Sequence, residues 1–295
     1  VSEGDTVSFS GSFTDPGSLD THTFEWDFGD GSPVESGTLT PTHVYADNGI
    51  YLATLTVTDN NGGVGADSLQ VTVNNAAPVV DAGSDQTVNE GDSVSFNGGF
   101  IDAGSLDTHT YEWNFGDGSP IVTSSLTPAH VYADNGTYSV TLTVTDDDVG
   151  VGADTLTVTV NNVAPTVNAG LDQTVSEGDT VSFSGSFTDP GSLDTHIFEW
   201  DFGDGSPVES GTLTPTHVYA VDGIYTVTLT VTDDDIGVGS DTLLVTVQDS
   251  GAPVVNAGPD QTVNEGDTVN FNGSHTDPGL PSIHTYRWDF GDGSP

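Results

Sequence analysis

Lysine, cysteine and methionine are absent from this 295-residue chain, and Arg287 is its single arginine. Phosphate recognition needs basic side chains, so nucleic acid is excluded as a partner. Docking on anionic lipid is excluded on the same ground. Without cysteine there is no disulfide framework, and the redox compartment is not legible from cysteine usage. Without lysine there are no Lys–Asn isopeptide cross-links. No hydrophobic run approaches a membrane-spanning length and no secretory leader is visible, so direct membrane insertion of this segment is not expected. The missing methionine points to an internal piece of a longer chain.

What is present is acid. Forty-five Asp and Glu give a formal net charge of −44. Such a surface repels itself unless cations screen or bridge it, so high salt, divalent ions or both are expected. Hydrophobic residues make up 34% of the chain, low for one large globule. Acidic chains of low hydrophobicity are often disordered. Here Val, Leu, Phe and Trp are patterned rather than scattered, which argues for folded modules.

The pattern repeats. Tryptophans stand at 26, 113, 200 and 288, in steps of 87, 87 and 88. Ala-Pro pairs at 77–78, 164–165 and 252–253 keep those steps, so the extra residue lies in the last linker, around 248–251. Val1–Tyr51 matches Val175–Tyr225 except at Thr23/Ile197, Asp47/Val221 and Asn48/Asp222. A repeat of roughly this length holds its own small core. The expected modules are 1–75 (lacking a first strand), 76–162, 163–250 and 251–295 (lacking a second half). Both ends then look like cuts through a longer array, and the last module is expected to need a partner to complete it.

Within one module, apolar residues alternate with period two. Thr6–Phe13 puts Val7 and Phe9 on one face. Phe24–Phe28 puts Phe24, Trp26 and Phe28 together. Ile50–Thr58 and Ser68–Val73 read as two further strands, and Gly, Pro, Asn and Asp punctuate the runs. No segment holds a helical period. About seven short strands per module predict an all-β, Ig-like sandwich, and sandwiches in tandem predict an elongated rod.

The octapeptide W-D-F-G-D-G-S-P at Trp26–Pro33 recurs at Trp200–Pro207 and Trp288–Pro295, and as WNFGDGSP at Trp113–Pro120. A kinase reading of "DFG" fails, because no lysine holds phosphates and Asn114 replaces the metal-binding Asp in one copy. The residues instead read as the end of a core strand and a glycine turn, in which Asp30 satisfies turn amides. F-E-W-D-F-G-D-G, followed by P-T-H-V-Y and G-I-Y-L-A-T-L-T-V-T-D, closely resembles the polycystic-kidney-disease (PKD) domain. The inter-module A-P-V-V-D-A-G-S-D-Q-T-V-N-E-G-D resembles the start of prokaryotic PKD repeats. The resemblance covers essentially the whole chain. It implies a seven-stranded extracellular sandwich used for adhesion, spacing or contact with carbohydrate or protein, with no catalysis, and calcium in some bacterial members.

In that topology the Thr14–His22 loop, the Asp59–Asp67 hairpin and the entering linker share one pole. Oxygen ligands crowd it. They are Asp15, Asp20 and Asp59 in the first module, with Asp27 on the adjoining strand as a further candidate. The second module offers Asp81, Asp85, Asp102, Asp107, Asp146 and Asp148. The third offers Asp172, Asp189, Asp194, Asp201, Asp233 and Asp235, with Asn168 beside them. Calcium takes six to eight oxygens, and close carboxylates repel without a cation. Calcium is therefore expected here, with solvated turn-forming aspartates as the alternative. The spacing is no EF-hand. In the fourth module Ser282 replaces Asp20 and Leu280-Pro281 alters the loop, so a weaker site is expected there.

His22 and His43 recur in each complete module. Zinc or general-base roles are conceivable, but His43 is expected to satisfy a backbone carbonyl. Tyr45 is expected to be a corner tyrosine tying a loop to the sheet. Asn135-Gly136-Thr137 and Asn272-Gly273-Ser274 are sequons, making Asn135 and Asn272 candidate glycan acceptors. No Ser/His/Asp set stands out. The chain is thus expected to be a non-enzymatic stalk, adhesin shaft or filament subunit outside the cell or on its surface. Its expected partners are adjacent repeats or copies of itself, with polysaccharide or a surface protein as further candidates. The rival expectation is a carbohydrate- or protein-binding accessory module of a larger secreted enzyme.

Overall fold

A computed structural model of the chain describes residues 1–277 and 284–293. Ser282 and Leu280-Pro281 lie outside the described residues. Two compact units are present, Val1–Asn161 and Asn162–Pro295. The described residues contain strands and turns and no helix.

The second module shows the architecture completely. Its larger sheet runs in the order Gln86–Asn89, Val151–Asn161, Gly136–Asp146, His109–Asn114. The facing layer is two ribbons: Val79–Asp81 pairs with Gly99–Ile101, and Ser93–Ser95 pairs with Ala129–Val131. All pairs are antiparallel but one, in which Gln86–Asn89 runs parallel to 158–161. This is the Ig-like sandwich that the alternation predicts.

The alternation becomes burial because strand side chains point to opposite faces in turn. Along Gly136–Asp146, Val140, Leu142 and Val144 are buried while Thr137 and Ser139 face out. Trp113 sits opposite Leu142 in register and closes the core with Phe96, Phe115 and Tyr132. Phe96 packs 5.3 Å from Trp113 and 5.2 Å from Phe115, ring centre to ring centre. The first and third modules repeat these cores around Trp26 and Trp200. In 251–295, Phe271 keeps the same 5.3 Å spacing to Trp288, yet Trp288 is 43% exposed. Among the described residues of 251–295 the strands are Val254–Asn256 and Ser274–Thr276, and none matches Gly136–Asp146 or Val151–Asn161, the strands that cover Trp113.

The run expected as one strand over Thr6–Phe13 is shorter in the first module, Thr6–Ser8. In the second module its equivalent splits between the two ribbons, as Ser93–Ser95 and Gly99–Ile101. Gly98 lies at the break. A Cβ there would stand 2.7 Å from Trp113 and 2.5 Å from Leu142, so the backbone presses on the core ring as it changes ribbon. The other expected strands appear as His22–Asp27, Gly49–Asp59 and Val64–Val73.

The octapeptide acts as core plug, turn and latch. Asp27 Oδ1 accepts from the Gly29 amide at 2.9 Å, and Asp30 Oδ1 accepts from the Ser32 amide at 3.0 Å and its hydroxyl at 2.6 Å. Gly29 has φ +79°, and a Cβ on it would lie 2.6 Å from the Leu52 carbonyl, so no other residue fits. His43 does not satisfy a backbone carbonyl as expected. Its Nε2 pairs with Asp30 Oδ2 at 2.6 Å, and its ring stacks on Phe28 at 4.0 Å. The carboxylate is the stronger partner for an imidazole N–H and lies in the adjacent turn. Tyr45 donates its hydroxyl to the Phe28 carbonyl at 3.2 Å, the expected corner bond.

Candidate metal centre

The pole of the second module is built by the 102–108 loop, the 146–151 hairpin and the entering linker. The linker is held by a side chain that sequence reasoning missed. Asn75 donates its amide to both oxygens of Asp146 at 3.1 Å. Asp146 Oδ1 also accepts from the Asp148 and Gly150 amides at 3.0 and 2.7 Å. Asp146 is only 4% exposed, so N–H donors rather than water stabilise its charge. The third module repeats this, with Asn162 on Asp233 at 3.1 and 3.2 Å and the Asp235 and Gly237 amides on Oδ1. Gly152 lets the linker close in: a Cβ there would lie 1.9 Å from the Pro78 carbonyl.

Several candidate ligands gather at the poles. One oxygen each from Asp15, Asp20 and Asp59 lies within 4.8 Å of the others, and Asp189, Asp194 and Asp233 form a similar triad. Many of these oxygens already serve turns. Asp15 accepts from the Gly17 amide at 2.7 Å and pairs with His22 at 2.8 Å, and these two bonds, the amide first, hold its carboxyl below the ordinary carboxylate range. Asp59 accepts from the Asn61 and Gly63 amides, both at 2.8 Å. Asp102 and Asp189 each pair with a histidine, His109 and His196, at 2.8 Å.

Other candidates stand elsewhere. Asp27 ends the strand that begins at His22, so about 17 Å of strand separates it from the Asp15 loop. Asp201 holds the same place in the third module. Asp81 caps Gly83 at 2.9 Å, and Asn168 caps Gly170 likewise. Asp85 accepts from the Thr157 amide, and Asp172 from the Leu244 amide, both at 2.8 Å, in mid-strand away from the hairpin turn. Asp235 does stay at the pole, in the hairpin whose amides cap Asp233, with its own side chain exposed. Asn272 is exposed, and Asn135 sits half-buried in the turn before Gly136–Asp146.

The first unit adds two acids from the first module to this pole. Glu3, Asp102 and Asp107 bring oxygens within 4.8 Å of one another, as do Asp47, Asp107 and Asp148. Two unit charges at such a distance repel by roughly 3–4 kcal/mol at an effective dielectric of ~20. Burial, then the charges of Glu3, Asp102, Asp47 and Asp147, push Asp107 up to about 6. Burial is also the main cause that raises Glu3, partly offset by its bond from the Ala76 amide. The two modules touch here: the Leu106 amide donates to the Ala46 carbonyl at 3.3 Å, and a Cβ on Gly4 would lie 3.0 Å from Ala103. Glu3 had a visible signal, the V-x-E-G-D repeated at Glu90, Glu177 and Glu265. Nothing in one module's sequence says that a neighbour buries it.

Strand-only modules with a split first strand, a core tryptophan and a corner tyrosine define a tandem array of Ig-like β-sandwiches. The chain belongs to the PKD domain family, whose model matches residues 1–73, 75–161, 162–247 and 250–295. It is 33% identical over 169 residues to the human dyslexia-associated protein KIAA0319, covering 51% of this chain and 15% of that protein. It is 38% identical over 73 residues to collagenase ColA of Clostridium perfringens, covering 25% of this chain and 6% of that enzyme. The chain therefore spans a small fraction of these relatives' length. Among solved structures, mouse cadherin-23 EC22-24 aligns over 80% of this chain and 89% of that one, at 19% identity and a TM-score of 0.31.

Proposed function

We infer that this chain is a length of an extracellular or cell-surface structural array, a stalk, adhesin shaft or filament segment, stiffened by calcium at the acidic loops near its module junctions. The observation that carries the reading is the clamped linker. Asn75 on Asp146, the Pro78 approach to Gly152 and the Leu106–Ala46 bond tie the linker to the module it enters and the first module to the second. Such a joint transmits load and orientation. Near-identical repeats suit a length-setting role, in which module number matters more than module detail. Calcium matches the ligand chemistry, which is all oxygen, and the surplus of negative charge. Membership of the PKD family supports a structural or adhesive module rather than an enzyme. Neighbouring copies, a surface protein or polysaccharide are the partners this reading admits.

Small-angle scattering of the full chain tests it, in calcium and then in excess chelator at fixed ionic strength. A profile that shortens and broadens on chelation is expected; an unchanged profile sinks calcium stiffening.

The second reading, an accessory binding module of a larger secreted enzyme, draws on the similarity to collagenase ColA. It calls for an exposed aromatic platform. The large exposed aromatics of the described residues are Phe13 in the first module and Phe271, Tyr286, Trp288 and Phe290 in the last segment. Tyr51 and Tyr138 instead turn their hydroxyls back onto the Asp47 and Asp134 carbonyls at 2.9 Å. Retention on insoluble polysaccharide would favour this second reading, and its absence would remove it.

A further inference from the structure

Glu3 is an almost fully buried acid of the first unit, 1% exposed. Its Oε1 accepts from the Ala76 amide at 2.7 Å, while its Oε2, equally sealed from water, has no hydrogen-bond partner. Both oxygens of Asp107 are likewise buried without a partner. A buried carboxylate oxygen loses its hydration and normally recovers it from an N–H or O–H donor. Here two further carboxylates, Asp102 and Asp107, bring oxygens within 4.8 Å of Glu3. Neither supplies a proton donor when ionised, and the chain holds no lysine and no arginine other than Arg287. Hydrogen bonding within the protein thus leaves these oxygens uncompensated. A hard cation supplies what they lack.

We propose that Glu3, Asp102 and Asp107 bind one calcium ion shared by the first and second modules. This rests on the calcium-stiffened reading above and deepens it, because one ligand comes from the module before the junction and two from the module after. Asp146, at the centre of the same pole, is a positioning residue: N–H donors fill it, and it fixes the linker that carries Ala76 and so orients Glu3. Asp102 is held from behind by His109 on Oδ2 and the Gly104 amide on Oδ1, as ligating carboxylates usually are. Three carboxylates leave room for water and main-chain carbonyls, which suits the six to eight oxygens of calcium better than the strict octahedron of magnesium. Asp47 and Asp148, which also bring oxygens within 4.8 Å of Asp107, add negative field at the site. Because the ligands are divided between modules, the ion binds only when the two are docked, so binding and docking reinforce each other.

The test titrates the full chain with calcium alone at physiological ionic strength, followed by calorimetry. Glu3→Gln and Asp107→Asn are each expected to abolish or weaken at least tenfold the same tight site, and the double variant is expected to be no worse than either. Glu112→Gln, on the exposed sheet face, should leave the titration unchanged. Native affinity and stoichiometry in both single variants overturn the proposal, as do independent losses at two different sites. Glu3→Gln keeps an acceptor for the Ala76 amide; if it nonetheless misfolds, Asp107→Asn alone decides, since Asp107 holds no side-chain hydrogen bond whose loss would unfold the loop. A second readout separates this site from the stiffening role. The chain has no cysteine, so spin labels at Ser36→Cys and Ser124→Cys report one distance across the junction. Calcium should narrow that distance in the native chain and fail to do so in Asp107→Asn. Narrowing that survives in both variants leaves calcium stiffening intact and sinks this site. Loss of the tight site with no narrowing in the native chain keeps the site and sinks the stiffening.

Discussion

His130 is joined to Asp117 at 2.6 Å, stacked on Phe115 at 4.1 Å and met edge-on by Tyr132 at 4.8 Å. One imidazole thus holds a turn, a core ring and a strand together. A charge-assisted bond and an aromatic contact are each worth about 1–2 kcal/mol, so His130→Ala is expected to cost the module about 2 kcal/mol in a urea melt. The equivalent acid in the third module gives a pH signature. Burial opposes the charge of Asp204, but bonds from Ser206 and His217 outweigh it and hold the carboxyl at about 2, against an ordinary 3.8. An acid depressed in the folded state stabilises fully above its unfolded value, and that stability is lost as pH falls through the folded one. Acid titration of the melting temperature should therefore show a loss between 3.8 and about 2 that Asp204→Asn shrinks; equal acid sensitivity in both proteins would refute the assignment. The Asp role in this turn was legible, because Asp-Gly-Ser is turn chemistry. Its histidine partner was not, since thirteen residues and a sheet crossing separate the two.

Among the elements, the hairpin after Gly136–Asp146 carries local strain. Val149 has φ +67° and Ile236 in the third module φ +72°, a left-handed conformation that costs a β-branched residue roughly 1–2 kcal/mol. The first module has Gly62, φ +89°, at this place. Val149→Gly, which copies it, should raise stability by about 1 kcal/mol in chemical denaturation; no gain would mean that Asp146 and its amide bonds already offset the strain. Gly98 predicts the reverse. A Cβ pressed onto Trp113 and Leu142 overpacks the core, so Gly98→Ala should cost about 1–3 kcal/mol. Hairpins and core strands were legible from period two and turn residues. The ribbon change at Gly98 was not, because alternation runs through it unbroken and only the ring of Trp113 forces the break.

For the whole chain, 45 acids against one arginine make self-repulsion a standing cost. Monovalent salt shortens the Debye length from about 10 Å at 0.1 M to about 3 Å at 1 M. Melting temperature in chelator should climb over that range, and a flat response would show that the charges are too dispersed to matter. The 87-residue period, the all-β class, the core tryptophans and the acidic poles were determined by the sequence alone, because alternation, turn chemistry and composition act over a few residues at a time. Only tertiary structure decided which acids are sealed and which are solvated. Asp85 and Asp146 look alike in sequence, yet one caps a mid-strand amide and the other anchors a linker. Glu3 reads as an ordinary turn acid until the second module covers it. Desolvation depends on what packs against a group, and that neighbour lies a hundred residues further along the chain.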